Sequence, residues 1–199
     1  MNEWLPLAGY CLNDLEQVWR RPEFGGIAYN EGDEVEQRME VILRGVEDKS
    51  IFSPELAAAS IDWPSYYHLS CMRANILRPF EAKLDGADVL EVGAGCGAIT
   101  RFLGKSGAKV CALEGSQRRA RIARLRTSDL SNVTVVADNF ETFTVDRKFD
   151  VLTFVGVLEY ANQFAQGAHP ARAMLSKARS MLKPGGIVLI AIGNQLGLK

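Results

Sequence analysis

The chain has 199 residues, 47% of them hydrophobic and 24% charged, with 23 Lys and Arg against 24 Asp and Glu and a formal net charge of −1. That balance suits one globular unit with a real core and removes any global electrostatic reason to expect a nucleic-acid or anionic-membrane partner. No apolar run is long enough for a membrane span, and the N-terminus, with Glu3 and Pro6, lacks the basic start and unbroken apolar stretch of a signal peptide, so a cytoplasmic protein is expected. Cys11, Cys71, Cys96 and Cys111 have no metal-ligand spacing, and neither a disulfide nor a metal site is expected of them.

In chain order, residues 1–20 read as an amphipathic helix or two short turns, with Leu5, Leu7, Leu12, Leu15, Val18 and Trp19 as the apolar set. The loop Arg21-Pro22-Glu23-Phe24-Gly25-Gly26 follows, and this segment either packs on the core or moves as a lid. Glu31-Gly32-Asp33-Glu34-Val35-Glu36 opens a helix reaching Val46, because Val35, Met39, Ile42, Leu43 and Val46 recur at helical spacing; the acids are expected on a solvated face. Ser53-Pro54-Glu55 is a helix start, with Ser as cap and Pro in the first turn, and Trp63-Pro64 ends that helix before a longer one runs from Ser65 to Arg78. The expected division is a helical extension or lid over 1–64 and a core over 65–199.

Val89-Leu90-Glu91-Val92-Gly93-Ala94-Gly95-Cys96-Gly97 then reads as a buried strand followed by a glycine loop, with Ala98 to Leu103 switching to helical spacing. Such a loop lets backbone approach a ligand where a Cβ would collide and points the first amides of the helix at it. Gly93, Gly95 and Ala98 also satisfy the looser dinucleotide fingerprint, so the glycines alone do not choose the ligand. Glu91 chooses better. A carboxylate there would repel a pyrophosphate and suits a cation, and S-adenosylmethionine carries an ammonium and a sulfonium with no phosphate.

Four more apolar runs follow. Lys109 to Leu113 ends on Glu114-Gly115-Ser116, where a carboxylate can accept from two ribose hydroxyls. Val133 to Ala137 ends on Asp138-Asn139-Phe140, placing an acceptor for an adenine amino group beside an apolar wall. Phe149 to Val155 ends on Gly156-Val157-Leu158-Glu159-Tyr160, and Ile187 to Ile192 follows the turn Leu182-Lys183-Pro184-Gly185-Gly186. Polar residues gathered after strands fit the crevice of an open α/β sheet. The helix after Glu114 holds Arg118, Arg119, Arg121, Arg124 and Arg126, spread around its circumference while Ala120, Ile122, Ala123 and Leu125 take the inner side. A solvated face is the expected reading, not an RNA-binding one.

Over residues 62–192, Glu91-Val-Gly-Ala-Gly-Cys-Gly97, Glu114, Asp138 and Leu182-Lys-Pro-Gly-Gly186 resemble the class I S-adenosylmethionine-dependent methyltransferases. The resemblance implies a doubly wound, Rossmann-like, mostly parallel sheet with helices on both faces. It also implies that Glu91 and the loop from Gly93 through Ala94, Gly95 and Cys96 to Gly97 hold the methionine part, Glu114 and Gly115 the ribose, and Asp138, Asn139 and Phe140 the adenine. Tyr67, Arg73 and Gly156 complete the cofactor set, Arg73 being the better choice for an anion, and the residues after the fourth strand face the acceptor.

The expected activity is methyl transfer, most simply O-methylation, to a small-molecule or saccharide acceptor. Glu159, Tyr160 and His68 are the candidate bases, ahead of His169, which precedes Pro170 in a loop. Three other readings stay open: a cofactor-binding docking or regulatory module without chemistry, an NAD-dependent oxidoreductase, and an RNA methyltransferase. The family's antiparallel C-terminal hairpin is absent after the fifth strand, so a fragment of a longer protein, or a dimer through that edge, is expected. Asn194 to Lys199, Tyr67 to Ser70 and Arg73 to Asn75 add a resemblance to methyltransferase modules of bacterial surface-polysaccharide biosynthesis.

Overall fold

The computed structural model describes residues 4–27, 32–164 and 167–193. The tail Asn194 to Lys199, and with it part of the second resemblance, lies outside them. Strand β1 (Cys11–Asn13) and β2 (Val18–Arg20) come first, followed by the helices α1 (Asp33–Gly45), α2 (Pro54–Ala58) and α3 (Trp63–Leu69). The alternating part is β3 (Asp88–Val92), α4 (Ala98–Lys105), β4 (Lys109–Glu114), α5 (Gln117–Arg126), β5 (Val133–Ala137), β6 (Phe149–Val155), α6 (Ala161–Phe164), α7 (Pro170–Ser180) and β7 (Leu182–Ala191).

The described strands form one sheet in the order β1-β2-β5-β4-β3-β6-β7, parallel except for β1. Successive residues of the central strands face opposite ways, and the core divides accordingly. Val89, Val110, Val133 and Val151 pack under Ile99, Phe102 and Leu103 of α4 and Ala120 and Ala123 of α5. Leu90, Leu113, Val136 and Leu152 pack under Met174 and Ala178 of α7 on the other face, joined there by Leu5, Leu7 and Tyr10. Burial on both faces is why these strands read as continuous apolar runs. The chain winds one way from β3 to β5 and the other from β6 to β7, which opens a crevice at the C-terminal end of β3. Among the described residues no helix is long and apolar enough to cross a membrane.

Three expectations are corrected. Residues 11–20 are a β-hairpin, not a helix, and they belong to the main sheet because β2 runs parallel to β5 through Trp19 opposite Val136 and Arg20 opposite Ala137. Asn13 Oδ1 accepts from the amides of Leu15 and Glu16 and makes the turn, leaving Leu15 97% exposed. Apolar spacing over so short a stretch does not separate three-residue strands from a helix, and pairing with the sheet edge decided it.

The helix expected from Ser65 to Arg78 stops at Leu69. Ser70 turns to an extended conformation, accepts from Met72 N through its hydroxyl, and starts tighter 3₁₀ turns over Cys71–Ile76 and Arg78–Lys83.

The third correction concerns charge. The acids of α1 and the arginines of α5 are not two solvated faces, because they face each other. Arg118 pairs with Asp33, Arg119 with Glu36, and Arg121 with Glu40 and Glu16. Glu36 is 1% exposed and the Arg119 Nε to Glu36 Oε1 bond is 2.7 Å, so this contact is a buried ion pair tying α1 to the domain. Arg124 caps its own helix through the Thr127 and Ser128 carbonyls. Met39 and Leu43 of α1, Leu56 of α2 and Leu69 of α3 pack with Ile122 of α5 and with Cys96 of the glycine loop, so these helices form a layer beside the crevice.

On the other side, β7 pairs only with β6 among the described residues and starts earlier than the apolar run suggested. Its Leu182 to Gly186 stretch carries the register irregularity opposite Phe149 and Val151. A Cβ on Gly186 would meet three carbonyl oxygens at 3.0–3.1 Å, so glycine is required there.

Candidate functional site

The glycine loop is built by φ angles that side chains rarely adopt: +75° at Gly93, +55° at Gly95 and +80° at Gly97. The Gly93 and Ala94 amides donate to Leu113 O at 2.8 and 3.0 Å, tying the loop to the end of β4. Gly95 N donates to Glu114 Oε2 at 2.7 Å and Ser116 N to Glu114 Oε1 at 2.8 Å. Burial raises the Glu114 carboxyl from its ordinary value, opposed by those two amides. Each oxygen keeps acceptor capacity beyond its one amide.

Glu91 lies beneath the loop, 3% exposed, accepting from Thr100 Oγ1 at 2.6 Å. Burial pushes its carboxyl up to about 8; the Thr100 bond and Arg73 oppose the shift and Glu114 adds to it. A buried acid with one neutral donor, facing a cleft, is a group waiting for a cation. Cys96 also lines the cleft but is buried, and burial pushes its thiol up to about 12, so it is inert packing.

The cleft brings together the residues expected for the cofactor, with one exception. Gly93, Gly95, Glu91, Glu114 and Gly115 line one end, Asp138, Asn139 and Phe140 the turn after β5, and Tyr67, Arg73 and Gly156 the opposite wall. Gly97 faces away. A Cβ there would stand 2.8 Å from Ala123 Cα, so this glycine packs α4 against α5 instead of lining the cleft.

His68, Glu159 and Tyr160 line the same cleft, whereas His169 lies at the start of α7 outside it. Arg73 Nη2 donates to Tyr67 Oη at 3.1 Å, with the guanidinium 4.1 Å from the Tyr67 ring centre. A Cβ on Gly156 would come within 3.3 Å of Tyr67 Oη and 3.9 Å of Glu159 Oε1, so these three meet at the end of β6. Behind them the fully buried Arg126 donates to the His68 and Leu69 carbonyls and fixes the end of α3, its guanidinium pushed down to about 10 by burial. That holds Tyr67 and His68 over the crevice.

Two features escaped the sequence reading. Asp138 lines the cleft, yet its carboxylate is already engaged by Tyr10 and Arg21. Ile27 closes the wall beside Gly115, its amide donating to Gly115 O at 2.9 Å. A single Ile after two glycines carries no periodic signal.

Residues 90–188, the stretch that holds the glycine loop, Glu114 and the β6 end, match a family described as a methyltransferase domain. This stretch is a class I methyltransferase domain. The chain is 33% identical over 105 residues to the demethylmenaquinone methyltransferase of Tropheryma whipplei (strain Twist), covering 53% of this chain and 41% of that one. It is 26% identical over 132 residues to the ubiquinone biosynthesis O-methyltransferase of Proteus mirabilis (strain HI4320), covering 65% and 51%. Among solved structures, CcbJ methyltransferase from Streptomyces caelestis aligns with a TM-score of 0.50 at 25% identity over 59% of this chain and 50% of that one. The DhpI complex with SAH aligns with a TM-score of 0.52 at 24% identity over 77% and 67%, a likeness of fold. The chain spans about half the length of the curated relatives it matches. The hairpin, α1 and α3 all precede the matched residues, so Tyr67, Arg73 and Ile27 are walls that the family match does not include.

Proposed function

We propose that this domain binds S-adenosylmethionine over the ends of β3 and β4 and transfers its methyl group to a small-molecule or saccharide acceptor placed against the end of β6. The observation that carries the reading is Glu91, a buried carboxyl in the floor of a glycine loop with Thr100 as its one hydrogen-bond donor among the described residues. A pyrophosphate over that loop would bring an anion, not a cation, to the buried Glu91 carboxyl and leave it without a partner charge, and this argues against NAD. The curated relatives named as methyltransferases support the same choice, and those named O-methyltransferases support an oxygen acceptor.

When bound, S-adenosylmethionine supplies an electrophilic methyl on a sulfonium. The residues present fit it: Glu91 takes the cationic end, Arg73 the carboxylate, and Glu114, with an amide on each oxygen, the ribose hydroxyls. In-line displacement needs no covalent step on the enzyme, so the walls Tyr67, Gly156 and Val157 contribute by holding the acceptor at attack distance. For a hydroxyl acceptor Glu159 is the base of first choice, being beside Tyr67 and Gly156, with His68 and Tyr160 as neighbours in the cleft.

Calorimetric titration of the chain tests the cofactor reading. Saturable binding of S-adenosylhomocysteine and none of NAD is expected, with the binding abolished in Gly95→Asp, whose new carboxylate would enter the cleft beside Glu114. Binding of NAD alone overturns it. Glu159→Gln is expected to leave S-adenosylhomocysteine affinity intact and to lower turnover on a hydroxyl acceptor, and unchanged turnover would remove Glu159 as base. Binding without turnover on any acceptor in a screen of sugars and phenols would favour the docking-module reading.

A further inference from the structure

The turn after β5 carries the acid expected to read the adenine amino group, but its hydrogen bonds go elsewhere. The Asp138 side chain is 0% exposed. Its Oδ1 accepts from Arg21 Nη2 at 2.6 Å, from Asn139 N at 2.7 Å and from Thr142 Oγ1 at 3.3 Å. Its Oδ2 accepts from Arg21 Nε at 3.0 Å and from the Tyr10 hydroxyl. Thr142 shares its one proton with the Asn139 carbonyl at 3.3 Å, but a carboxylate has about four lone-pair sites, and the other four donors leave none for a ligand.

The donors are well held. Tyr10 is 7% exposed, and its hydroxyl is raised first by burial and then by the bond to Asp138, which keeps it a donor. Tyr10 and Arg21 flank the β1–β2 hairpin immediately on either side, and that hairpin is fixed on the sheet edge by β2 running along β5. The same segment continues to Ile27, whose side chain sits where a Cβ on Gly115 would meet it at 2.5 Å and lines the cleft beside Glu114. Gln117 Nε2 pins the strap between them by donating to Phe24 O at 2.7 Å.

We infer that the segment Tyr10 to Ile27 shapes the adenosine subsite: Ile27 is its wall, Tyr10 and Arg21 hold Asp138 as a positioning residue for the Asn139 turn, and the base is recognised by shape and apolar contact instead of by that carboxylate. This rests on the cofactor reading above and changes what the β5 acid does within it. Arg21 and Tyr10 act through Asp138, and Ile27 meets the ligand.

The test compares two ligands on the full chain by calorimetry: S-adenosylhomocysteine and its analogue lacking the 6-amino group. A buried acceptor built for that amino group would be left unpaired by the analogue and would discriminate strongly. The expected result is a difference in Kd below about tenfold, unchanged in Asp138→Asn. Arg21→Ala is expected to weaken both ligands alike, with partial rescue by Arg21→Lys, since a lysine restores the charge but not the two-pronged grip. A wild-type preference for the amino compound of about tenfold or more overturns the inference, and its disappearance in Asp138→Asn would return the carboxylate to the base. If neither compound binds, the cofactor reading itself falls and takes this inference with it. If both bind but differ by about tenfold or more, only this inference falls.

Discussion

Glu91→Gln is expected to weaken S-adenosylmethionine binding by about 100-fold and, in the unliganded chain, to remove a loss of stability that the wild type shows as pH rises from about 5 to 8. Both effects have one cause. Burial raises the folded carboxyl to about 8 from an ordinary 4.5, against the Thr100 hydroxyl and Arg73, while Glu114 on the neighbouring strand pushes the same way. Below the unfolded value both states hold the proton and Glu91 costs nothing. Between the two values the unfolded chain has lost its proton and the folded chain keeps it, so stability falls with rising pH by roughly 1.4 kcal/mol per unit and levels off above the folded value. Glutamine, neutral throughout, has no such slope, although the one from Glu114, whose carboxyl burial also raises, persists.

Binding carries the opposite sign. A cation beside Glu91 favours the carboxylate, so below about pH 8 the cofactor binds with release of a proton, and affinity rises by up to tenfold per pH unit. The cofactor's own ammonium begins to deprotonate near the same pH, at about 7.7–8.0, and flattens the profile there. Calorimetry at about pH 6, 7 and 8 in buffers of different ionisation enthalpy measures the proton directly, and urea unfolding over the same range measures the stability slope. An identical pH dependence in wild type and Glu91→Gln would dismiss Glu91 as the titrating group.

Gly97→Ala is expected to destabilise the fold by about 3 kcal/mol, while Gly95→Ala, two residues away in the same motif, costs about 1 kcal/mol and damages binding instead. The two glycines share positive φ but not surroundings. At Gly97 a Cβ would stand 2.8 Å from Ala123 Cα and 3.1 Å from its Cβ, and backbone of a packed helix does not move aside as a flexible side chain would. The strain of the left-handed conformation and the overpacking add. At Gly95 nothing lies within 4 Å of the added carbon, so only the conformational strain remains, and the methyl group projects toward the space a ligand needs. Urea denaturation followed by S-adenosylhomocysteine titration of both variants separates the effects. Equal destabilisation would show that the α4–α5 contact yields.

Most of the domain from β3 onward was legible in the sequence, because its determinants are local. A strand buried on both faces is an unbroken apolar run, a tight turn declares itself through glycine, and a polar residue in the last positions of a strand or just after it lies at the sheet's C-terminal end whatever the rest of the chain does. Glu91, Glu114, Asn139 and Phe140 were placed that way, and the cleft gathers them. Gly97 was assigned to the ligand because a motif gives spacing but not orientation; the neighbouring helix decides which glycine serves packing.

The sequence by itself therefore determined the order of the strands from β3 onward with the helices α4 and α5, the glycine loop, and which acids stand at the strand ends. Only the tertiary structure decided what those acids are bonded to. Arg21 and Asp138 are separated by 117 positions and Glu36 and Arg119 by 83, and a run of like charges looks the same whether it faces water or an opposite run on another helix. The hairpin is the same case in backbone form: two three-residue strands have no stability of their own, and they exist because β5 offers unpaired hydrogen-bonding groups at the sheet edge. Periodicity and composition report free energies local to a segment, whereas ion pairs, edge pairing and cavity walls draw theirs from groups distant in the chain.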